Sequence, residues 1–307
     1  MAQLIKMKDY ASRYEHHFLH QNAEFLSAKQ AYWQRMKTDW MIANKSGPKA
    51  PEDEPLEKNS RMGKAVNRLK WWKHEEEEEV EITESDAYLF FKGKTLEELK
   101  DIFYDNWFLT QLEWASSTVS EISMMDPKLK YDYRLRTLLR ELPDTYFVMY
   151  YPVFHIKQTT MEGAITIVGP VGIDVIHILE GTMYSVFEPA DSRFWKEYVN
   201  QKQHTFVSPV LALKRTMNVV EAVLKKAGTT FPAQATVVSP ASIIDNREIL
   251  YAHTADKREY KRWMEKRITN PSPVKNRQLF SAEALMEQTA TVSVLRSEIY
   301  SPDGYGE

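Results

Sequence analysis

Apolar residues recur at helical spacing through the first third of the chain and then crowd into short, strand-length runs. Over residues 10–42, Phe25, Tyr32, Trp33, Met36 and Trp40 fall on one stripe, with Lys29, Gln34, Arg35 and Lys37 around it. That spacing predicts an amphipathic helix, with Asn22 as the cap of its main part. Pro48, Pro51 and Pro55, with Gly47 and acidic residues between them, mark a linker over about 44–59. Ser60 would open a second helix carrying Met62, Val66, Leu69 and Trp72. It runs into the acidic block 75–79, whose ordinary role is a solvated loop. A short strand over 87–91 should precede the Lys92-Gly93-Lys94 turn, and Thr95 and Glu98 have the spacing of a capping box for a third helix. Its inward residues would be Leu99, Ile102, Phe103, Asn106 or Trp107, and Leu109. Residues 1–112 therefore read as a mostly helical N-terminal region.

The pattern changes after Asp126-Pro127. Leu135, Leu138, Leu139 and Leu142 give residues 129–142 a helical period that stops at Pro143-Asp144. Strand-like runs follow at 145–151, 153–157, 164–168, 173–179 and 182–187, the last two nearly continuous in apolar character, as expected of strands covered on both faces. The Gly169-Pro-Val-Gly172 turn should join 164–168 to 173–179 as an antiparallel hairpin. Ser208-Pro209 is a helix start and Gly228 a stop, with Lys226 near the helix end. Strands are expected at 234–238 and 248–251, and a helix from Thr254 or Asp256 to about Arg267. This order predicts an α/β fold, a mixed central sheet flanked by helices. Beyond Pro271-Ser-Pro273, residues 271–307 form a tail with a helix near 281–289.

Composition narrows the function only a little. The chain has 307 residues, no cysteine and a formal net charge of −3, so thiolate metal sites and disulfides are excluded and any nucleic-acid binding must come from a local patch. The N-terminus lacks the features of a signal peptide and no window approaches the length of an apolar membrane span. A cytoplasmic protein without membrane partners is the expectation.

One constellation carries a resemblance. Asp132 lies on the 129–142 helix, which ends at Leu142-Pro143; the Gly169-Pro-Val-Gly172 turn and the Ile173-Asp-Val-Ile-His-Ile-Leu179 strand follow, then Trp195 and the Ser208-Pro-Val-Leu-Ala212 helix start. In this order the segment 125–267 resembles the nuclease-related (NERD) domain, a branch of the restriction-endonuclease-like fold. It is most similar to members from Firmicutes with a helical N-terminal extension, which makes residues 113–270 the nuclease-like domain. The resemblance implies metal-dependent phosphodiester cleavage, but it also places Ala164 where the family has its metal-binding Asp, and His177 and Leu179 where it has Glu and Lys. His177 and Leu179 share one face of their strand, and Asp174 has the opposite parity. An alanine and a leucine supply neither ligand nor charge, and imidazole suits Mg²⁺ poorly.

The expectation is therefore a degenerate, non-catalytic module that binds or scaffolds, with no cofactor and with a protein partner or self-association through the helical N-terminus. The alternative is a Mg²⁺- or Mn²⁺-dependent nuclease acting on DNA or RNA, with Asp132, Glu162 and His177 as a vestigial or relocated site and Lys214 as a migrated lysine. His177 in an apolar strand also has the plain reading of a core histidine. His16, His17 and His20 cluster without a third fixed ligand and read as surface residues. Around 256–267, Lys257, Arg258, Lys261, Arg262, Lys266 and Arg267 surround Tyr260 and Trp263. Lys257, Lys261 and Arg262, with Lys214, are the candidate nucleic-acid contacts; the plain reading is an amphipathic helix with Tyr260, Trp263 and Met264 docked inward.

Overall fold

The computed structural model describes residues 1–45, 89–246, 251–269 and 272–299. The expected linker, the helix from Ser60, the acidic block and most of the 248–251 strand lie outside the described residues. The chain divides into two compact units, Met1–Ala28 with Tyr104–Glu307, and Lys29–Phe103.

The larger unit is a mixed α/β structure around a six-stranded sheet in the order β1-β3-β6-β7-β11-β13. Its strands are β1 (Gln3–Met7), β3 (Phe147–Tyr150), β6 (Ile165–Gly169), β7 (Gly172–Ile178), β11 (Ala233–Val238) and β13 (His253–Ala255). β6 alone runs against the others. The carboxyl ends of β3 and β7 and the start of β6 therefore share one edge. β6 and β7 pair antiparallel from Ile165–Ile176 to Gly169–Gly172, the expected hairpin. The turn needs glycines: a Cβ on Gly169 would sit 2.5 Å from the Tyr146 ring, and one on Gly172 2.8 Å from the Pro232 carbonyl oxygen.

Helices cover the sheet. α3 (Tyr133–Glu141) buries Leu135, Leu138 and Leu139. α4 (Pro209–Lys226) lies on β7 and β11, burying Leu213, Met217, Val220 and Leu224. α5 (Tyr260–Ile268) and α6 (Asn276–Glu287) complete the layers. A second sheet, β10-β9-β8-β12, is built from β8 (Val186–Pro189), β9 (Phe194–Val199), β10 (Lys202–Val207) and β12 (Ile243–Ile244), with Trp195 buried at its centre. Two-stranded sheets pair β4 (Val153–Ile156) with β5 (Thr159–Glu162), and β2 (Glu121–Ile122) with β14 (Val294–Leu295). No described helix is long and apolar enough to cross a membrane.

Several elements differ from the sequence reading. Residues 3–7 of the expected helical region form β1, fully buried beside β3. The first helix, α1, spans Phe18–Lys45, so Asn22 lies inside it, and its Oδ1 accepts from the Gln3 side chain at 2.7 Å. Residues 89–91 are helical where a strand was expected. The helix before Arg267 starts at Tyr260, because residues 253–255 pair with β11 instead. Leu109 is 42% exposed, and Trp107 rather than Asn106 points inward.

Within the smaller unit, the expected aromatic stripe is the packing face. Tyr32 stacks on Phe103 at 5.7 Å, Trp33 meets the same ring edge-on at 5.2 Å, and Met36 and Leu99 are buried. The helix α2 (Leu96–Trp114), which continues into the larger unit, begins with the expected capping box. Glu98 N–H donates to Thr95 Oγ1 at 3.2 Å, and Thr95 N–H donates to the Glu98 carboxylate at 2.7 Å.

Candidate functional site

The carboxyl edge of the sheet holds two of the residues that the sequence singled out, Asp132 and His177. Open α/β sheets place ligand crevices outside the carboxyl ends of their strands. Asp132 stands there as the N-cap of α3, its Oδ1 accepting from Arg134 N–H at 3.0 Å and Leu135 N–H at 3.2 Å. Its other oxygen accepts the Tyr150 hydroxyl at 2.6 Å. Tyr150 ends β3, and burial followed by this carboxylate pushes its phenol well above the ordinary range. Tyr151 follows in a left-handed backbone conformation with φ of 48°, an uncommon geometry for a bulky side chain. That geometry turns the chain at the end of the strand.

Arg134 is the hub of the cluster. It lies 3.5 Å from Asp132 Oδ1 and forms an ion pair with Glu180, and its charge acts on Tyr151 and His177. His177 is half-buried on β7; burial, then the Arg134 charge, lowers its pKa and keeps the ring neutral. The Tyr151 phenol is raised by burial and is in turn influenced by Arg134, Asp132 and Glu162. Asp132 is thus in contact with Arg134 and Tyr150, whereas Glu162 and His177 are linked to this cluster only through charge, that of Glu162 on Tyr151 and that of Arg134 on His177. Arg134, Tyr150, Tyr151 and Glu180 were not singled out from sequence. The available signal was Arg134, two residues after a capping aspartate.

Ala164, Leu179, Glu162 and Asp174 lie in different surroundings. One step beyond the Ile165–Ile176 pair, Ala164 lies opposite His177. Ala164 is buried, and its N–H donates to Thr216 Oγ1 of α4 at 2.9 Å. Leu179 is buried and donates its N–H to the Val238 carbonyl at 2.8 Å. Glu162 is exposed and ends β5, so it does not share a strand with Ala164. Asp174 points to the other side, where Arg267 Nε and Nη2 donate to its Oδ2 at 3.1 and 2.6 Å.

The donor set does not fit a divalent cation. Among the described residues no group of three or more His, Asp or Glu side chains is placed to hold one. Asp132 has both oxygens engaged, and the Arg134 guanidinium lies 3.5 Å from its Oδ1. His16, His17 and His20 are exposed, and His20 lies 4.0 Å from Glu24.

The candidate nucleic-acid residues spread over two helices and a loop. Lys214 is exposed on α4, with its ammonium 5.4 Å from the centre of the Tyr251 ring. Lys257 donates to the Met183 carbonyl at 3.2 Å, Lys261 lies 4.0 Å from Glu265, and Arg262 is exposed. Arg267 is withdrawn, stacked 3.7 Å from the Trp263 ring centre and bonded to Asp174. Met264 is buried and Tyr260 and Trp263 are half-buried, the amphipathic arrangement. A shallow groove lined by Leu19, Arg277, Leu279, Phe280 and Glu283 shares no residue with either set.

No family model matches the chain, and no solved structure does. Among curated proteins the chain is similar to an RNA 2',3'-cyclic phosphodiesterase of Geobacillus stearothermophilus, 33% identical over 116 residues. That match covers 36% of this chain, and the chain spans 36% of the length of that relative.

Proposed function

We propose that this chain is a degenerate nuclease-related module that binds or scaffolds without cleaving phosphodiesters. The observation that carries the reading is Asp132: one oxygen caps α3 and the other holds the Tyr150 hydroxyl, so the acid is a structural joint. Ala164 opposite His177 and the buried Leu179 support it, since a metal-assisted attack on phosphate needs carboxylate ligands and a cation at such positions. Partners would be proteins, met through the N-terminal helical region, or nucleic acid. The test is incubation of purified protein with supercoiled plasmid, single-stranded DNA and RNA in Mg²⁺ or Mn²⁺. Intact substrates are expected. Cleavage that disappears in Asp132→Ala or Glu162→Ala would replace this reading with a relocated active site.

A second reading is favoured by one observation, the similarity to an enzyme named for an RNA cyclic phosphate. Opening such an ester needs a base for water and a cation for the developing charge. His177, held neutral, and Arg134 are the residues of those types at the sheet edge. Release of a phosphate monoester from a nucleoside 2',3'-cyclic phosphate, lost in His177→Ala, would establish it.

A further inference from the structure

The turn that leads into α3 presents an unusual surface. Between Asp126 and Arg134 the chain makes one 3-10 turn, Pro127–Tyr131, and then enters the helix. Leu129 is its buried anchor. Lys128 and Lys130 are exposed, Tyr131 is 82% exposed and Tyr133 is 70% exposed. Neither tyrosine hydroxyl has a hydrogen-bond partner among the described residues. The backbone beneath them is fixed. Asp126 accepts from Lys128 N–H at 2.9 Å, Arg136 donates to the Lys130 carbonyl at 3.3 Å, and Asp132 caps the helix.

Each feature bears on the choice of ligand. An isolated exposed ring on a surface is ordinary, but here two exposed lysines, Lys128 and Lys130, are followed directly by two exposed rings, Tyr131 and Tyr133, on one fixed turn, which places cations beside aromatic faces. Lysine is depleted from the cores of protein interfaces, whereas ammonium groups beside open aromatic faces suit phosphates and unpaired bases. Both aspartates of the segment accept from backbone N–H groups at helix starts, Asp126 from Lys128 and Asp132 from Arg134 and Leu135. In duplexes the base faces are stacked and unavailable to the rings.

We propose that residues 128–133 bind single-stranded nucleic acid, with Tyr131 and Tyr133 stacking on two bases and Lys128 and Lys130 contacting neighbouring phosphates. The surface continues into Arg134 at the sheet edge. It is separate from the Lys214, Lys257, Lys261 and Arg262 set, two of whose ammonium groups already lie near protein acceptors. The inference rests on reading the chain as a binding module, yet the two fail by different measurements.

Fluorescence anisotropy of the full chain with labelled oligo(U) and oligo(dT), and with a duplex of equal length, tests it at low salt. Both single strands should bind more tightly than the duplex; stacking alone does not distinguish ribose from deoxyribose, so a large gap between oligo(U) and oligo(dT) would overturn the stacking assignment. Tyr131→Ala and Tyr133→Ala should each weaken binding about tenfold. Lys128→Glu with Lys130→Glu should flatten the salt slope by about 0.7 for each lysine replaced. Thermal melting of each variant separates a binding loss from unfolding, which the exposure of all four side chains makes unexpected. No binding to either single strand, or binding that survives both tyrosine changes, overturns the proposal. Cleavage of the labelled strand in the same samples would instead overturn the non-catalytic reading and leave this one standing.

Discussion

The Tyr150 hydroxyl donates to Asp132 Oδ2 at 2.6 Å, tying the end of β3 to the first turn of α3. Tyr150→Phe removes one hydrogen bond to an ionised group and should cost about 1–2 kcal/mol in urea denaturation. Asp132→Ala loses the helix cap as well and leaves the buried phenol without its acceptor, so about 3 kcal/mol is expected. Asp132→Asn keeps a capping oxygen and should fall between them. An alanine variant no less stable than Tyr150→Phe would show that the carboxylate is not the joint described.

A second joint closes the N-terminal strand. Lys6 is fully buried in β1, and its three donors are taken up by the Tyr10 carbonyl at 2.8 Å, Thr291 Oγ1 at 2.9 Å and the Glu15 carboxylate. Thr291 Oγ1 also bonds Glu15, and Val292 N–H donates to the Asp9 carbonyl at 2.7 Å, so residues near the C-terminus clamp β1. Lys6→Met strands the half-buried Glu15 carboxylate and should destabilise by about 3 kcal/mol. Adding Glu15→Gln should recover part of that loss. A double variant as unstable as the sum of the single changes would show that the two groups do not act as a pair.

Arg267 offers a test of the basic helix α5. Its guanidinium stacks on Trp263 at 3.7 Å and places two N–H donors on one oxygen of Asp174, whose other oxygen accepts from Gln234. Arg267→Lys keeps the charge but loses the planar stack and one bond, an expected cost of about 1–2 kcal/mol. Arg267→Ala leaves Asp174 unpaired and should cost about 3 kcal/mol. Lys261→Ala, at 90% exposure beside Glu265, should stay within about 0.5 kcal/mol of the parent. Equal effects of the two alanine changes would contradict the division of α5 into structural and solvated sides.

What was legible in the sequence follows from how local each signal is. The Thr95–Glu98 box, the Ser208-Pro209 start and the Gly169–Gly172 hairpin are set by neighbours within a few residues, and each appears where the pattern puts it. β1 was illegible because Gln3, Leu4, Ile5 and Lys6 carry no alternation; only pairing with β3 and a partner for the buried Lys6 ammonium make that segment a strand. The β9–β10 hairpin was missed for the opposite reason, since Lys202, Gln203, His204 and Thr205 are exposed on an edge strand and look like loop. Along β7, Asp174 and His177 have opposite parity, and Asp174 meets Arg267 on its side of the sheet. Arg134 and Tyr151 escaped because the place of Arg134 two residues after a capping aspartate does not announce the strand end that the fold brings near it.

Glu113 supplies a pH prediction of defined sign. It is half-buried on α2, near the charges of Arg13, Lys130 and Arg296, and burial outweighs those cations to push its carboxyl up to about 7. The unfolded chain releases this proton near the ordinary carboxylate value of about 4.5, whereas the folded protein holds it to about 7. Between those values the native state binds more protons, so stability falls as pH rises from about 4.5 to about 7 and levels off above. Below the lower value both states are protonated and the residue contributes no slope. Glu113→Gln removes the titration: it should match the parent at pH 4 and exceed its stability at pH 8 by on the order of 2 kcal/mol. Urea midpoints at half-unit pH steps would measure this. A variant that is less stable than the parent at pH 8 would mean that the cations around Glu113, rather than its burial, set the ionisation.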